Sequence, residues 1–288
     1  MKKQDKIGYL FILPTVLAFF TFVALPIVLA IVLSFTNYRG FGTVTFVGFE
    51  QYRKIFEVDP NFLRSFRNLA IYVGILVPGL ILISLSLAVL INSKFVKRKS
   101  IYRILFYTPT LMSIIAASAI WRFLYDPNYG PINQFLLWIG VKRDSLPLWI
   151  YEPNLAMISI TIMSLWMVIG INMVIYMAAL SSFPEEIKEA AEIDGAGSWT
   201  IFWRIIFPLI KPTTYFIVTM SIIGSFQLFD QIFALTGGGP AGSTMTPVFL
   251  IYGNIKNQMG YASAQSVILF IVIIVVTLLA QKFTKEEA

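Results

Sequence analysis

An all-α polytopic membrane fold, with six transmembrane helices and a helical insert on the cytoplasmic side, is what this sequence predicts, on three observations. The chain is 57% hydrophobic and only 13% charged, with a mean hydropathy of +0.77, far from the values of a soluble domain. Charge-free apolar windows recur along it, with Lys and Arg gathered beside them. Between the fourth and fifth windows lies a charged, helix-forming segment, Pro184-Glu-Glu-Ile-Lys-Glu-Ala-Ala-Glu-Ile-Asp-Gly195.

The windows are residues 7–38, 68–93, 104–121, 153–184, 212–229 and 257–281, and a bilayer-spanning helix needs roughly 17–25 mostly apolar residues. They predict spans at about 8–35, 69–92, 104–124, 155–181, 212–235 and 264–282, in a single transmembrane domain over 1–288. The first is expected to be retained, because its apolar stretch exceeds the ~7–15 residues of a signal-peptide core. A seventh charge-free stretch, 231–255, is interrupted by Gly237-Gly-Gly-Pro240 and Pro247. Irregular backbone facing lipid would leave amides unpaired, so this stretch is expected to be an external loop that dips back.

Orientation follows from Lys and Arg. With the N-terminus inside, thirteen of the 22 basic residues fall on the inner side, five of them crowded into 92–103, and the rest spread over longer outer stretches. Both termini and the insert at 182–211 are therefore expected in the cytoplasm, in a multi-pass protein of the cell (inner or plasma) membrane. A net charge of +7 without a basic stripe does not suggest nucleic acid. Zero Cys and zero His remove disulfides, thiol chemistry and the usual zinc sites. No metal or catalytic residue is expected.

Within the insert, Ser182-Phe-Pro-Glu185 has the spacing of a capping box, with Pro just inside the helix start. Ala190, Ala191 and the alternating Glu and Lys favour helix, and Gly195 and Gly197 allow it to stop. Ser198 is placed to cap a second helical turn carrying Trp199, Phe202, Trp203 and Ile206, an aromatic stripe suited to the membrane interface or to a partner. Pro208 and Pro212 are expected to bound the entry into the fifth span.

Glu189-Ala190-Ala191, Gly195, Ile205 and Pro208 together resemble the EAA loop of binding-protein-dependent ABC importer permeases. The pattern departs only at Phe207, where that family usually has Leu. Leu13-Pro14, Tyr107-Thr-Pro109, Phe229-Asp230, Thr236-Gly-Gly-Gly-Pro240 and Gly260-Tyr-Ala262 resemble its carbohydrate-uptake branch, the maltose and glycerol-phosphate type. Similarity runs through nearly the whole chain, without the extra spans and external domain of the enterobacterial maltose subunit. The resemblance implies a coupling helix that docks on an ATP-hydrolysing subunit through Glu189, Ala190, Ala191, Gly195, Ile205 and Pro208. It also implies a second homologous permease, two ATP-binding subunits, an extracellular solute-binding protein and a carbohydrate or polyol cargo. ATP and Mg would sit on the partners, and this chain would bind only cargo, proteins and membrane lipid.

No Gly-x-x-x-x-Gly-Lys-Ser/Thr is present. Gly237 to Thr244 lacks the Lys, follows no strand and is not expected to bind phosphate. Five acids, Glu185, Glu186, Glu189, Glu192 and Asp194, crowd one short helix, which suits a solvated or docking face better than a glycosidase pair. An ion-driven secondary transporter would need charged residues buried within the spans, and the six apolar windows contain none, Arg122, Asp230 and Lys282 falling at span ends. A six-span channel or assembly subunit would have no use for the Glu189 to Pro208 spacing. A sugar path calls for uncharged polar and aromatic groups at depth, and the candidates are Ser113, Ser164, Trp166, Asn172, Ser221, Ser225 and Gln227. Against each Ser stands the common alternative of a bond to its own helix. Trp121 and Tyr125 are expected in an interfacial belt, with Arg122 reaching the headgroups.

Overall fold

A computed structural model of the chain describes residues 3–93 and 96–285, and its regular structure is helical, with one isolated bridge between Thr36 and Phe46 and no strand among the described residues. In order the helices are α1 (Lys3–Phe19), α2 (Leu25–Leu33), α3 (Glu50–Glu57), α4 (Pro60–Asn92), α5 (Lys99–Tyr107), α6 (Ile114–Leu124) and α7 (Pro131–Trp138). Then come α8 (Pro153–Ser181), α9 (Glu185–Ile193), α10 (Ser198–Ile201), α11 (Phe207–Ser225), α12 (Asp230–Leu235), α13 (Pro247–Ile255) and α14 (Met259–Lys285). The chain forms two compact units, Met1–Leu63 with Leu250–Val272, and Arg64–Phe249 with Ile273–Ala288.

Five stretches are long and apolar enough to cross a bilayer: Phe11–Leu33, Pro60–Asn92, Pro153–Ser181, Ser198–Ser225 and Met259–Ala280. A sixth candidate is the pair α5 and α6, bent by 100°. The first unit decides whether that pair counts. The amide of Gly260 donates to the Tyr38 carbonyl at 2.7 Å, and the Tyr261 hydroxyl donates to Asp59 at 2.7 Å. The connections preceding α4 and α14 therefore share one side of the membrane, so the chain between them crosses an even number of times. With α4, α8 and Ser198–Ser225 making three, the bent pair is the fourth, and the total is six.

In the first unit, α1 and α2 carry no buried residue between Phe11 and Leu33, and Phe11, Phe20 and Phe22 are exposed. An all-round apolar helix with a bare surface is suited to lipid or to another span. A π turn, Phe20–Ala24, joins α1 to α2. It lies just before Pro26, which lacks the amide that the Phe22 carbonyl would otherwise accept, and the wider turn lets that carbonyl clear the ring. Beyond α2, Gln51 donates to the Thr36 carbonyl at 3.0 Å, and Ser34 shares a 2.7 Å hydrogen bond with Tyr52.

The second unit is organised on α8. Ile160, Met163, Met167, Gly170, Met173 and Met177 recur at three- and four-residue spacing and are buried, a continuous helical face. It meets α5, α11 and α12, and flexible Met side chains suit such irregular contacts.

Two expected spans differ from the structure. The third is no continuous helix over 104–124. A 3-10 turn, Thr108–Leu111, follows α5, and Met112 and Ser113 are extended before α6 begins. Pro109 supplies no amide to an α-helical ladder, and Thr110 donates its hydroxyl to the Met167 carbonyl at 2.7 Å, tying the break to α8. The fifth span runs Ser198–Ser225 instead of 212–235. Residues 226–229 leave the helix, with the Leu228 amide on the Ser225 carbonyl, and α12 is a separate element. The stretch 231–255, expected to be a loop, contains α12 and α13. The Gly-rich turn between them is stitched by a Thr236–Thr244 bond of 2.8 Å, and Asn68 donates at 2.9 Å to both Gly242 and Met245 carbonyls.

Tyr125 is not part of an exposed belt. It is fully buried between Trp121 (5.1 Å) and Trp149 (5.2 Å), and its hydroxyl donates to the Ser159 carbonyl at 2.9 Å. Burial raises that hydroxyl well above the usual phenol range. Nearby, fully buried Asn133 donates to the carbonyls of Pro127 and Pro147 and accepts from the Trp149 indole. Asn133→Ala removes three hydrogen bonds to partly buried groups, and we expect it to destabilise the chain by about 1–3 kcal/mol, read as a lower melting temperature in detergent.

Candidate functional site

The insert after α8 is built from three local solutions to chain ends. Ser182 does not form the expected capping box: its hydroxyl donates back to the Ala179 carbonyl at 2.8 Å, closing α8. Helix α9 instead starts from Pro184, whose φ of −58° and ψ of 135° place it as the residue before the first turn. Pro contributes no amide there, and its fixed φ defines the entry.

The C-terminus of α9 is a Schellman motif. The Ala196 amide donates to the Ala191 carbonyl at 2.9 Å and the Gly195 amide to the Glu192 carbonyl at 3.1 Å, the 6→1 and 5→2 pair that satisfies terminal carbonyls. Gly195 supplies the left-handed residue at φ +81°. A Cβ placed there would meet nothing within 4 Å, so the glycine is demanded by backbone conformation alone.

The third solution is a second π turn, Phe202–Ile206, which runs α10 into α11 without interruption. Pro208 stands four residues after Arg204 and two after the turn, the same relation seen at Pro26. The Phe207 amide reaches the Phe202 carbonyl, a five-residue bond that frees the backbone around the ring. Pro208 thus shapes the helix start of the fifth span and does not end a loop. Ser198 is also no side-chain cap, that position being held by Gly197.

Apolar anchors flank α9 on both sides. Phe183 before it, and Phe202, Ile206 and Phe207 after it, pack against a cluster of Leu80, Ala88, Met173, Tyr176, Ile210 and Ile217 drawn from α4, α8 and α11. Trp199 and Trp203 meet edge to face at 5.6 Å and stay exposed.

Ala191 is turned inward, whereas Ala190 is exposed and shares an outward stripe with Ile187 and Ile193. Spacing of three residues places all three on one face. Ile193 is 86% exposed, an apolar side chain in water on an otherwise acidic helix whose Glu186, Glu192 and Asp194 are also exposed. This stripe was not anticipated from sequence, although its spacing was readable there. The side chains of Glu185, Lys188 and Glu189 lie outside the described residues. Ile205 lies in the π turn, one helix later, and Pro208 at the start of α11.

The seven path candidates are not brought together. Ser164 is buried and Trp166 half-buried against Trp121 at 5.8 Å, but two residues apart they lie on opposite sides of α8. Asn172 donates to the Val168 carbonyl at 2.9 Å and Ser225 to the Ser221 carbonyl at 2.7 Å, each within its own helix. Ser221 itself is half-buried. Gln227 is exposed in the break before α12, and Ser113 is exposed in the extended break before α6 rather than mid-span. A groove of about 560 Å³ in the second unit is instead lined by Ser118, Arg122, Asp126, Tyr151 and Phe233 among others.

Comparison with known proteins places this geometry. A family described as binding-protein-dependent transport system inner membrane component matches residues 62–285. The chain is 34% identical over 279 residues to an arabinooligosaccharide transport system permease of Halalkalibacterium halodurans, covering 96% of this chain and 86% of that protein. It is 31% identical to a lactose transport system permease of Rhizobium radiobacter, over 96% and 92% of the two chains. In fold it resembles a subunit of a bacterial ABC transporter that imports alginate, with a TM-score of 0.84 at 23% identity, covering 99% and 96%.

Proposed function

The chain belongs to the family of binding-protein-dependent transport system inner membrane components, and from that premise we propose that it forms half of a carbohydrate translocation pathway whose motion is driven through α9. It is a multi-pass membrane subunit and not itself an enzyme. Under this reading a second permease completes the pathway, two ATPases bind ATP and Mg, and an extracellular binding protein delivers an oligosaccharide or related polyol. The relatives named for arabinooligosaccharide and lactose transport support the cargo class. A gradient-driven carrier has no support from the family.

The observation that carries the coupling role is the exposed stripe Ile187–Ala190–Ile193 on a short helix anchored at both ends. An apolar face bare to water calls for a partner, and a helix with a fixed start, a closed end and packed flanks moves as one piece. Glu189, Ala190, Ala191, Gly195, Ile205 and Pro208 serve this lever: the first three on its body, Gly195 at its stop, Ile205 and Pro208 where it joins the fifth span. Three candidate spans, α4, the bent pair and α8, separate Asp59 from α9 along the chain. The basic residues gathered beside the spans support placing α9 and both termini on the cytoplasmic side.

The test is Ile193→Asp in the assembled transporter. A charge in place of an apolar side chain that a partner covers costs about 2–4 kcal/mol of association, so co-purification of the ATPases should fall by at least tenfold and ATP-driven sugar uptake with it. Unchanged association and uptake would remove α9 as the lever.

A further inference from the structure

We propose that the first unit carries a saccharide-binding cleft of its own, outside the membrane, on which cargo rests before it enters the transmembrane pathway. The cleft is about 900 Å³, within the roughly 300–1,000 Å³ of small-molecule sites. It is formed where the chain leaves α2, around Asn37 to Phe41, by one face of α3, and by the turn between α13 and α14.

Its chemistry fits sugar hydroxyls. A hydroxyl both donates and accepts, and the side chains that do likewise are amides; five amides line this cleft. Three are held in place by the fold: Gln51 on the Thr36 carbonyl, Asn37 by the Thr45 amide, and Asn254 on Gln265 at 2.9 Å. The other two, Asn257 and Gln258, are exposed, and no hydrogen bond of their side chains occurs among the described residues. Arg39 is exposed beside them, with planar paired donors suited to adjacent hydroxyls. Asp59 accepts the Tyr261 hydroxyl through one oxygen and the Asn61 amide through the other, which fixes its carboxylate at the cleft wall. Phe41 is 70% exposed, a flat apolar face of the kind that covers a sugar ring.

Charge narrows the ligand class. Lys54 is already paired with Glu50 at 2.7 Å, and Arg39 is offset by Asp59, so the cleft is close to neutral. A short uncharged oligosaccharide fits better than a polyanion. Its openness to water implies weak, rapidly exchanging binding, which suits a resting place on the way in. This rests on the carbohydrate reading above.

Saturation-transfer NMR on the transporter in lipid nanodiscs, without its binding protein, tests the idea with arabinotriose and lactose as probes and inorganic phosphate as a charge-only competitor, which should leave the saccharide signal unchanged. Transfer to a saccharide at millimolar concentration is expected, with affinity about tenfold weaker in Asn257→Ala/Gln258→Ala. Phe41→Ala should lose transfer to the ring protons. All four changed side chains, Asn257, Gln258, Phe41 and, in a further variant, Arg39→Ala, are exposed, so melting temperatures should match the parent. No transfer, or transfer unaltered by these variants, overturns the cleft while leaving ATP-driven saccharide uptake, and hence the proposed function, intact. Loss of binding-protein association in the variants without any saccharide transfer also overturns it, making the cleft a protein dock. Failure of the assembled transporter to move any saccharide sinks the cargo reading instead.

Discussion

Gly170→Ala is expected to be the most damaging single-methyl change in the chain. A Cβ at this position would lie 2.6 Å from the Phe106 carbonyl carbon and 2.8 Å from the Tyr107 Cα, both backbone atoms. Ordinary contact needs roughly another ångström, and neither side can yield by turning a side chain. On one side is the buried face of α8; on the other is the end of α5, pinned by Thr110 to the Met167 carbonyl. Overpacking of this kind costs about 1–3 kcal/mol and more where backbone must move. We expect a fall in melting temperature of about 5–10 °C, from a few degrees per kcal/mol, and failure of Gly170→Leu to accumulate in the membrane. Gly74→Ala, at an exposed position in α4 where a Cβ meets nothing within 4 Å, is the control. It should be neutral or stabilising, since Ala is the better helix former by about 1 kcal/mol. Equal effects of the two changes would mean that the crossing at Gly170 has slack.

That crossing also marks where the sequence stops being legible. Hydropathy resolves α4, α8 and α14 because each is an unbroken apolar run, and charge pattern resolves α9 because its acids and alanines stand alone between two such runs. Hydropathy cannot resolve the break at 108–113, since Thr-Pro-Thr-Leu-Met-Ser is as charge-free as a span. Only Pro109 signals it, and a proline within a membrane helix is commonly absorbed. The reverse error occurs at 198–211, where Arg204, Pro208 and Lys211 look like loop and the chain is helical. There the π turn removes the conflict with Pro208, and Arg204 lies within two turns of the helix start, where a long side chain can reach the headgroups. The path candidates are scattered for a different reason. Depth along a span gives no azimuth, and Asn172 and Ser225 spend their hydrogen bonds on their own helices. The groove residues Arg122, Asp126, Tyr151 and Phe233 come from three separate elements, which no single window brings together.

At Gly195 the expected result is a ranking, Gly ≈ Asn > Ala > Val, in ATP-driven uptake by the assembled transporter. The left-handed φ of +81° costs an L-residue about 1–2 kcal/mol, more when it is β-branched, while Asn visits that region readily. Because no atom lies within 4 Å of a Cβ there, size as such is not penalised. Strain of this size is concentrated on two hydrogen bonds, those from Gly195 and Ala196 to the Glu192 and Ala191 carbonyls. Their loss frays the last turn of α9, which carries Ile193 at its end. Under the proposed coupling role, a frayed end turns a lever into a tether: ATPase association would persist in part, but motion of α9 would no longer reach the fifth span through the 196–208 segment. Gly195→Val should therefore lower uptake by about tenfold or more, the equivalent of some 1.4 kcal/mol, with a smaller loss of ATPase association than Ile193→Asp. Gly195→Asn should keep both. If Asn proves as harmful as Val, the requirement at this position is for an absent side chain at a partner's surface and not for a left-handed backbone, and the Schellman stop is incidental to coupling.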